Sequence, residues 1–348
     1  MTQSNQTSEC DPSIWAEKLF GIVSNSWMSQ ATYIAAELRL ADLLADGPKD
    51  ADDLARSTGY DAAALRRLMR ALASLDLCIQ LDDGSFQLRP MGSLLCVEAP
   101  NSLRSWTIWW GRHLRPAWGN LLQRLKAGEK HGNVGAGAPD PGYLGGDTET
   151  AVAFNQAMAD LTRLVSRQVM RVYDFAGMNR IVDVGGGSGQ LVATILEAHP
   201  QLRATLFDLP DAIKGARKHL KQAGFSARCE LVPGSFFESI PAGGDAYLLK
   251  SILHNWDDER STVVLRHCRR VMPKDAKLLI IERIMPARME PSPDHRALAW
   301  SDLNMLVLLE GRERTEAEFR TLLALSGFKT CRILPVGLQF SLIECLPC

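Results

Sequence analysis

The eight cysteines (Cys10, Cys78, Cys96, Cys229, Cys268, Cys331, Cys345 and Cys348) include a single Cys-x-x-Cys spacing, Cys345-Leu346-Pro347-Cys348, with no second pair to complete a four-cysteine site. A structural zinc site is therefore not expected, and reduced thiols are the simplest reading. No apolar run approaches the roughly 20 residues of a membrane span. Met1 to Cys10 is polar and lacks the charged-then-apolar order of a secretory signal. An excess of one charge is missing too: 39 Lys and Arg stand against 40 Asp and Glu, a net charge of −1. A general nucleic-acid binder would carry a basic face. Internal repeats and extended low-complexity tracts are also absent. These absences predict a soluble cytoplasmic protein with neither a nucleic-acid nor a membrane partner. Its 348 residues suffice for two domains with real cores.

What is present centres on Arg180-Ile181-Val182-Asp183-Val184-Gly185-Gly186-Gly187-Ser188-Gly189-Gln190. A β-branched run opens into a glycine turn and then into Leu191-Val192-Ala193-Thr194-Ile195-Leu196, which suits a helix. Strand, turn and helix in this order form the place where an α/β sheet receives a nucleotide-like ligand. The next predicted strand ends at Asp208, an acid suited to the two hydroxyls of a ribose. Two further absences narrow the ligand. A dinucleotide fingerprint wants glycine at its sixth place, which here is Gln190, and no lysine follows the loop as a P-loop requires. The remaining ligand is an adenosine compound without pyrophosphate, such as S-adenosylmethionine. A tight turn that binds nothing is the alternative on this stretch alone.

Before the glycine turn the pattern is helical. Ile14 to Leu44 reads as two helices, and Asp50 and Asp61 are placed to cap two more, with Gly59 between them. Cys78 to Leu81 and Phe86 to Leu88 flank an Asp83-Gly84 turn and read as a hairpin. Two helices and a β-wing make a winged helix. It serves either DNA binding, opposed by its many Asp residues, or dimerisation through the apolar helices before Leu44. Residues 101 to 175 read as helical, interrupted by a Gly- and Pro-rich loop from Gly132 to Gly146. Trp106, Trp109, Trp110 and Trp118 read as core or subunit interface. From Arg180 onward strands alternate with helices, as in a doubly wound sheet. Predicted strands are Ile181–Val184, Ala204–Phe207, Cys229–Val232, Ala246–Lys250 and Lys277–Glu282, closed by a pair near 329–334 and 340–345.

In such a sheet the ligand lies outside the carboxyl ends of the strands. Those ends carry Asp183 with the glycine turn, Asp208, Ser235-Phe236-Phe237, Lys250-Ser251 and Glu282. His254 follows the fourth strand, where a neutral imidazole can take a proton from a phenolic or enolic hydroxyl. Glu282 and Glu313 are the candidates for holding its tautomer. Asp257 and Asp258 read as caps of the helix that follows.

Together these residues resemble the plant caffeic-acid-type, or hydroxyindole-type, O-methyltransferase family, which includes bacterial enzymes of secondary metabolism. The resemblance rests on Val182-Asp183-Val184-Gly185-Gly186-Gly187-Ser188-Gly189, Phe207-Asp208-Leu209-Pro210, Gly234-Ser235-Phe236-Phe237, Leu249 to Trp256 and Glu313-Arg314-Thr315. It runs from near Trp27 to the C-terminus. It implies an α/β fold: a class I methyltransferase Rossmann-like doubly wound sheet with an N-terminal α-helical winged-helix dimerisation domain. The implied domains are 1–105 for dimerisation and 106–348 for catalysis, with 106–178 as helical connector and pocket wall.

By this resemblance Asp183, Gly185, Gly187, Asp208, Leu209, Ser235, Phe236, Lys250 and Ser251 bind S-adenosylmethionine, released as S-adenosylhomocysteine, with no metal. His254 is the general base, flanked by Glu282 and Glu313. Phe154, Met158, Trp256, Asn304, Met305 and Leu308 wall the pocket of a small-molecule acceptor. The N-terminal domain exchanges helices with a second copy to form a homodimer. Two departures stand out: Ser235 replaces the usual Asp on the adenine side, and Asn255 replaces the Asp common after the catalytic His. The resulting expectation is methyl transfer to a hydroxyl of an aromatic or polyketide-like molecule. The alternatives are N- or C-methylation, or hydroxylation or decarboxylation of a polycyclic substrate, on the same fold. From other classes come a metabolite-sensing winged-helix regulator and a dehydrogenase, the latter disfavoured by Gln190.

Overall fold

The computed structural model describes residues 12–127, 149–309 and 311–348. The expected Gly132–Gly146 loop and Cys10 lie outside them. The described part divides into two compact units between Arg112 and His113.

In the first unit, α1 (Pro12–Glu37) and α2 (Leu40–Ala45) are separated at Arg39, whose left-handed backbone (φ 55°) ends one helix and starts the next. Helices α3 (Ala51–Thr58) and α4 (Ala62–Ser74) follow. Asp50 caps α3 by accepting from the Asp53 N–H, and Asp61 caps α4 by accepting from the Ala64 N–H. Strands β1 (Cys78–Gln80) and β2 (Phe86–Leu88) form the antiparallel wing. Leu40, Leu54, Met69, Leu72 and Phe86 fill a separate core. Helix α5 (Arg104–Trp109) belongs here, because Arg104 Nε donates to the Ala36 carbonyl and Arg112 pairs with Glu37. Residues 106–112 thus go with the first unit. The amino-terminal two-thirds of α1 is apolar yet exposed: Trp15, Leu19, Phe20, Ile22, Val23 and Trp27 all face outward, Trp27 at 68%. A surface of this kind marks an interaction site.

The second unit begins with α6 (Arg115–Trp118), α7 (Leu121–Ala127) and α8 (Glu149–Val172). Its sheet is built from β3 (Arg180–Val184), β4 (Arg203–Asp208), β5 (Cys229–Pro233), β6 (Ala246–Lys250) and β7 (Lys277–Met285), all parallel. Between them run α9 (Gln190–Ala198), α10 (Pro210–Gln222) and α11 (Asp258–Val271). After α12 (Pro293–Leu308), β8 (Arg314–Thr315) and α13 (Glu316–Leu325), strands β9 (Phe328–Gly337) and β10 (Phe340–Pro347) close the sheet antiparallel. The order is β5-β4-β3-β6-β7-β10-β9, with β8 beside the end of β7. All seven strands expected from Arg180 onward are present.

Both faces are covered, so successive strand residues enter different cores. Leu279 and Ile281 join α8, α9 and α10, while Leu278 and Ile280 join α11 and α13. From β3 the chain winds one way to β5 and then returns to β6 on the other side. That reversal opens a crevice between the carboxyl ends of β3 and β6. No described helix is long and apolar enough to cross a membrane.

Candidate active site

The turn after β3 is bent by glycines. Gly187 sits at φ +56°, with nothing within 4 Å of where a Cβ would be, so its outer side is open to a ligand. Gly185 (φ +73°) is closed instead, since a Cβ there would meet Ile252 Cδ1 at 2.4 Å. Asp208, at the end of β4, accepts the Gly187 N–H through Oδ2 (2.7 Å) and the Leu209 N–H through Oδ1 (2.7 Å). Each carboxylate oxygen keeps a lone pair for hydroxyls. Asp183 is buried under the turn, and its Oδ2 has no hydrogen-bond partner among the described residues. Burial pushes its pKa up to about 7 against the pull of Lys250. Lys250 in turn is lowered by burial to about 8, despite Glu282 and Asp183, and donates to Thr162 Oγ1 at 2.9 Å.

Ser235 Oγ accepts the Phe237 N–H at 3.2 Å and so pins the turn that presents Phe236. Phe236, Phe237 and Trp256 pack edge to face, with Phe237 and Trp256 centroids 4.8 Å apart. Trp256, expected on the acceptor wall, is thus placed in the aromatic cluster around Phe236.

Past β6, Ser251 takes a left-handed backbone (φ 55°) and Leu253–Asn255 forms a single 3₁₀ turn. This loop is gripped from several directions. Glu282 Oε1 accepts the N–H groups of Ile252 (2.9 Å), Leu253 (2.9 Å) and His254 (3.4 Å). Arg314, wholly buried, donates to the carbonyls of Leu253 and Trp256, both at 2.8 Å. Asn255 Nδ2 donates to the Ser251 carbonyl (3.1 Å), a bond that the ionised Asp of the plant pattern cannot make. Gly311 lies so close that a Cβ there would fall 1.9 Å from the His254 carbonyl oxygen.

The His254 imidazole is oriented by this loop. Its Nδ1 lies 3.1 Å from Glu313 Oε1 and 3.5 Å from Glu282 Oε2. Two acceptors on one ring nitrogen place the proton of a neutral imidazole on Nδ1 and leave the Nε2 lone pair available. Glu313 Oε1 also accepts from Ser301 Oγ at 2.6 Å, and the Glu313 N–H donates to Asp302 Oδ1. Burial opposes the imidazolium, but the carboxylates of Glu282 and Glu313 outweigh it, so His254 titrates above the ordinary histidine range. Glu313 is held below its usual range against burial by His254, Ser301 and Arg283. Glu282 is raised by burial.

Phe154, Met158 and Thr162 recur at i, i+4 and i+8 along α8, and Ser301, Asn304, Met305 and Leu308 recur at helical spacing along α12. Trp118 Nε1 donates to Asn304 Oδ1 at 3.0 Å, and its ring meets Trp300 edge to face. Trp118, expected in the core or a subunit interface, thus bonds to a residue expected on the pocket wall. Asp257 caps α11 as expected, but Asp258 does not. Its carboxylate pairs with Arg312 and Arg314, whose guanidinium groups compete more strongly than a backbone N–H.

Sequence reasoning missed Thr162, Ser301, Gly311 and the task of Arg314. The helical spacing carried a signal for the first two. Nothing local marks Gly311 or Arg314, because what they touch lies more than fifty residues earlier.

Comparison with known proteins shows the family. An O-methyltransferase domain model matches residues 118–329, and an O-methyltransferase dimerisation domain model matches residues 20–98. The chain belongs to the O-methyltransferase family, and its fold is that of the class I methyltransferases. It is 40% identical to phenazine O-methyltransferase PhzM of Lysobacter antibioticus, over 94% of this chain and 95% of that one. It is 31% identical to phenazine-1-carboxylate N-methyltransferase of Pseudomonas aeruginosa, over 94% and 96%. Among solved structures, the crystal structure of LaPhzM superposes with a TM-score of 0.88 at 39% identity, covering 96% of this chain and 99% of that one. An O-methyltransferase from neocarzinostatin biosynthesis, solved with S-adenosylmethionine and 2-hydroxy-5-methyl naphthoic acid, gives 0.74 at 29% identity, covering 92% and 96%.

Proposed function

We propose that this S-adenosylmethionine-dependent O-methyltransferase methylates a hydroxyl of a flat aromatic or polyketide-like small molecule, with His254 as the general base. The observation that carries the reading is the pairing of His254 Nδ1 with two buried carboxylates, which leaves Nε2 as the acceptor of a proton. The residues of the crevice fit the cofactor. Asp208 keeps lone pairs for ribose hydroxyls, Gly187 leaves its outer side clear, and the unpartnered Asp183 Oδ2 supplies an acceptor beneath the turn. Phe236 offers an aromatic face to adenine. When bound, S-adenosylmethionine supplies a methyl group already activated as a sulfonium.

The chain's own residues do the rest. His254 Nε2 takes the hydroxyl proton, and Glu313 and Glu282 stabilise the imidazolium that results. Phe154, Met158, Met305 and Leu308 give an apolar, adaptable wall that aligns a planar acceptor. His254, Glu282 and Glu313 bring ligand atoms within 4.8 Å of one another, a spacing that also suits a cation. We read them as a proton network, because Glu282 Oε1 already accepts three N–H groups and Nδ1 carries a hydrogen. The exposed apolar face of α1 is read as one half of a homodimer interface in a cytoplasmic enzyme.

N-methylation is the second reading, favoured by the 31% identity to an N-methyltransferase. Calorimetric titration with S-adenosylmethionine, S-adenosylhomocysteine and NAD, followed by paired hydroxyl and amine acceptors on phenazine, naphthoate and benzoate rings, tests both. Micromolar binding of the two sulfur compounds but not NAD, with methylation of the hydroxyl series, is expected. Turnover of the amines alone would replace the reading with N-methylation, and NAD binding would overturn it.

A further inference from the structure

Gln190 holds the place where a dinucleotide fingerprint has its third glycine, and the reading of the reaction gives it no task. In the structure its side chain reaches across to α10, where Nε2 lies 2.9 Å from His219 Nε2. The opposite ring nitrogen, His219 Nδ1, lies 3.0 Å from the carbonyl oxygen of Ser188 in the glycine turn. A carbonyl only accepts, so Nδ1 carries the hydrogen. In a neutral ring Nε2 is then an acceptor and takes an N–H of the Gln190 amide. The two contacts specify a single tautomer.

We propose that His219, with its tautomer fixed by Gln190, is a positioning residue that locks the glycine turn in its ligand-binding shape. The turn needs such a lock. Gly185, Gly187 and Gly189 all occupy left-handed backbone, at φ 73°, 56° and 78°, and glycine loses more conformational freedom on ordering than any other residue. Its remaining ties are the Gly185 N–H to Phe207 O, the Gly187 N–H to Asp208, the Gly189 N–H to Gly186 O and the Ala193 N–H to Gly189 O, none of which reaches Ser188. His219 holds the Ser188 C=O, and does so with a side chain from a different helix. Ordering the turn beforehand lowers what the ligand must order on binding.

The charge facing the ring fits this role. Burial and Arg163 of α8 disfavour the imidazolium, the Ser188 carbonyl favours it, and the ring titrates below the ordinary histidine range. It is neutral at pH 7, the state in which Gln190 selects the tautomer. A histidine also meets a loop carbonyl after β5, where His267 of α11 brings Nδ1 to 2.9 Å from the Phe236 carbonyl.

The proposal rests on the reading of the crevice as an S-adenosylmethionine site. Its test uses calorimetry of S-adenosylhomocysteine binding to the full chain. Asn places its amide nitrogen where His has Nδ1, whereas Gln places its own where His has Nε2. His219→Gln is therefore expected to weaken binding about tenfold, and His219→Asn to remain within about twofold of the parent, at equal thermal midpoints. Gln190→Met, which keeps length and removes the amide, is expected to cost about threefold and covers the case in which a His219 variant does not fold. Equal affinity of parent, Asn and Gln variants would overturn the lock, and so would an equal loss in both. A parent chain that binds no S-adenosylhomocysteine would instead overturn the cofactor reading.

Discussion

The glycine turn and the His254 loop follow neighbouring strands, β3 and β6, yet they are held by opposite means. The turn is a backbone structure: three left-handed glycines, short N–H bonds and one carboxylate from the next strand. The His254 loop is held by buried charge. Glu282 takes its N–H groups, Arg314 takes its carbonyls, and Glu313 takes the imidazole. The lesson is one of chemistry. A ligand cradle needs room and flexibility that glycine provides, whereas a base needs a fixed ring and a tuned proton affinity, which only nearby charges supply.

The contrast can be broken at several points. His254→Ala is expected to lower turnover by about 10²-fold or more while S-adenosylhomocysteine affinity stays within about twofold. An unchanged rate would remove His254 as the base. Gly311→Ala introduces a Cβ against the His254 carbonyl, so it is expected to lower turnover by roughly tenfold or more, again with intact cofactor binding. Steady-state kinetics beside calorimetry separates these effects; a loss of affinity equal to the loss of rate would mean that the two regions are not independent.

Arg314→Met takes the buried guanidinium away from the carbonyls of Leu253 and Trp256, leaving them only the longer contacts of Ser261 Oγ (3.3 and 3.5 Å) and, for Leu253, the Trp256 N–H. It is expected to destabilise the second unit by about 3 kcal/mol, read by urea unfolding. Destabilisation below about 1 kcal/mol would show that the guanidinium is not what holds the loop. Ser235→Asp gives the smallest change: a few-fold tighter S-adenosylhomocysteine binding, since a carboxylate can keep the Phe237 N–H bond and add a charged acceptor. Unchanged or weaker binding would count against an adenine-side role for position 235.

The two regions also differ in how far the sequence reveals them. The glycine turn, Asp183 and Asp208 lie within one strand-turn-helix-strand unit, so spacing alone brings them together. The parallel strands were legible for a related reason: buried on both faces, they read as apolar runs such as Leu278 to Ile281. His254 and the two glutamates were recognisable as residue types, but their meeting depends on contacts across 28 and 59 residues. Arg314 stood in the sequence only as part of the Glu313-Arg314-Thr315 motif, because the carbonyls it binds lie fifty-eight and sixty-one residues earlier. Gln190 was legible only as a missing glycine, because its partner His219 comes from the next helix.

The central claim is that His254 removes the acceptor proton while Glu313 sets its affinity for it. The most direct test is the pH dependence of kcat/KM for whichever hydroxylated aromatic is methylated, in the parent enzyme and in Glu313→Gln. A base works only when neutral, so activity falls as pH drops through its pKa. Because the flanking carboxylates raise that pKa above the ordinary value of 6.5, the acid limb of the parent should lie above 6.5. Glu313→Gln keeps an oxygen for Nδ1 but removes a charge, so the limb should move to lower pH. A limb that stays in place, or moves upward, would contradict the claim.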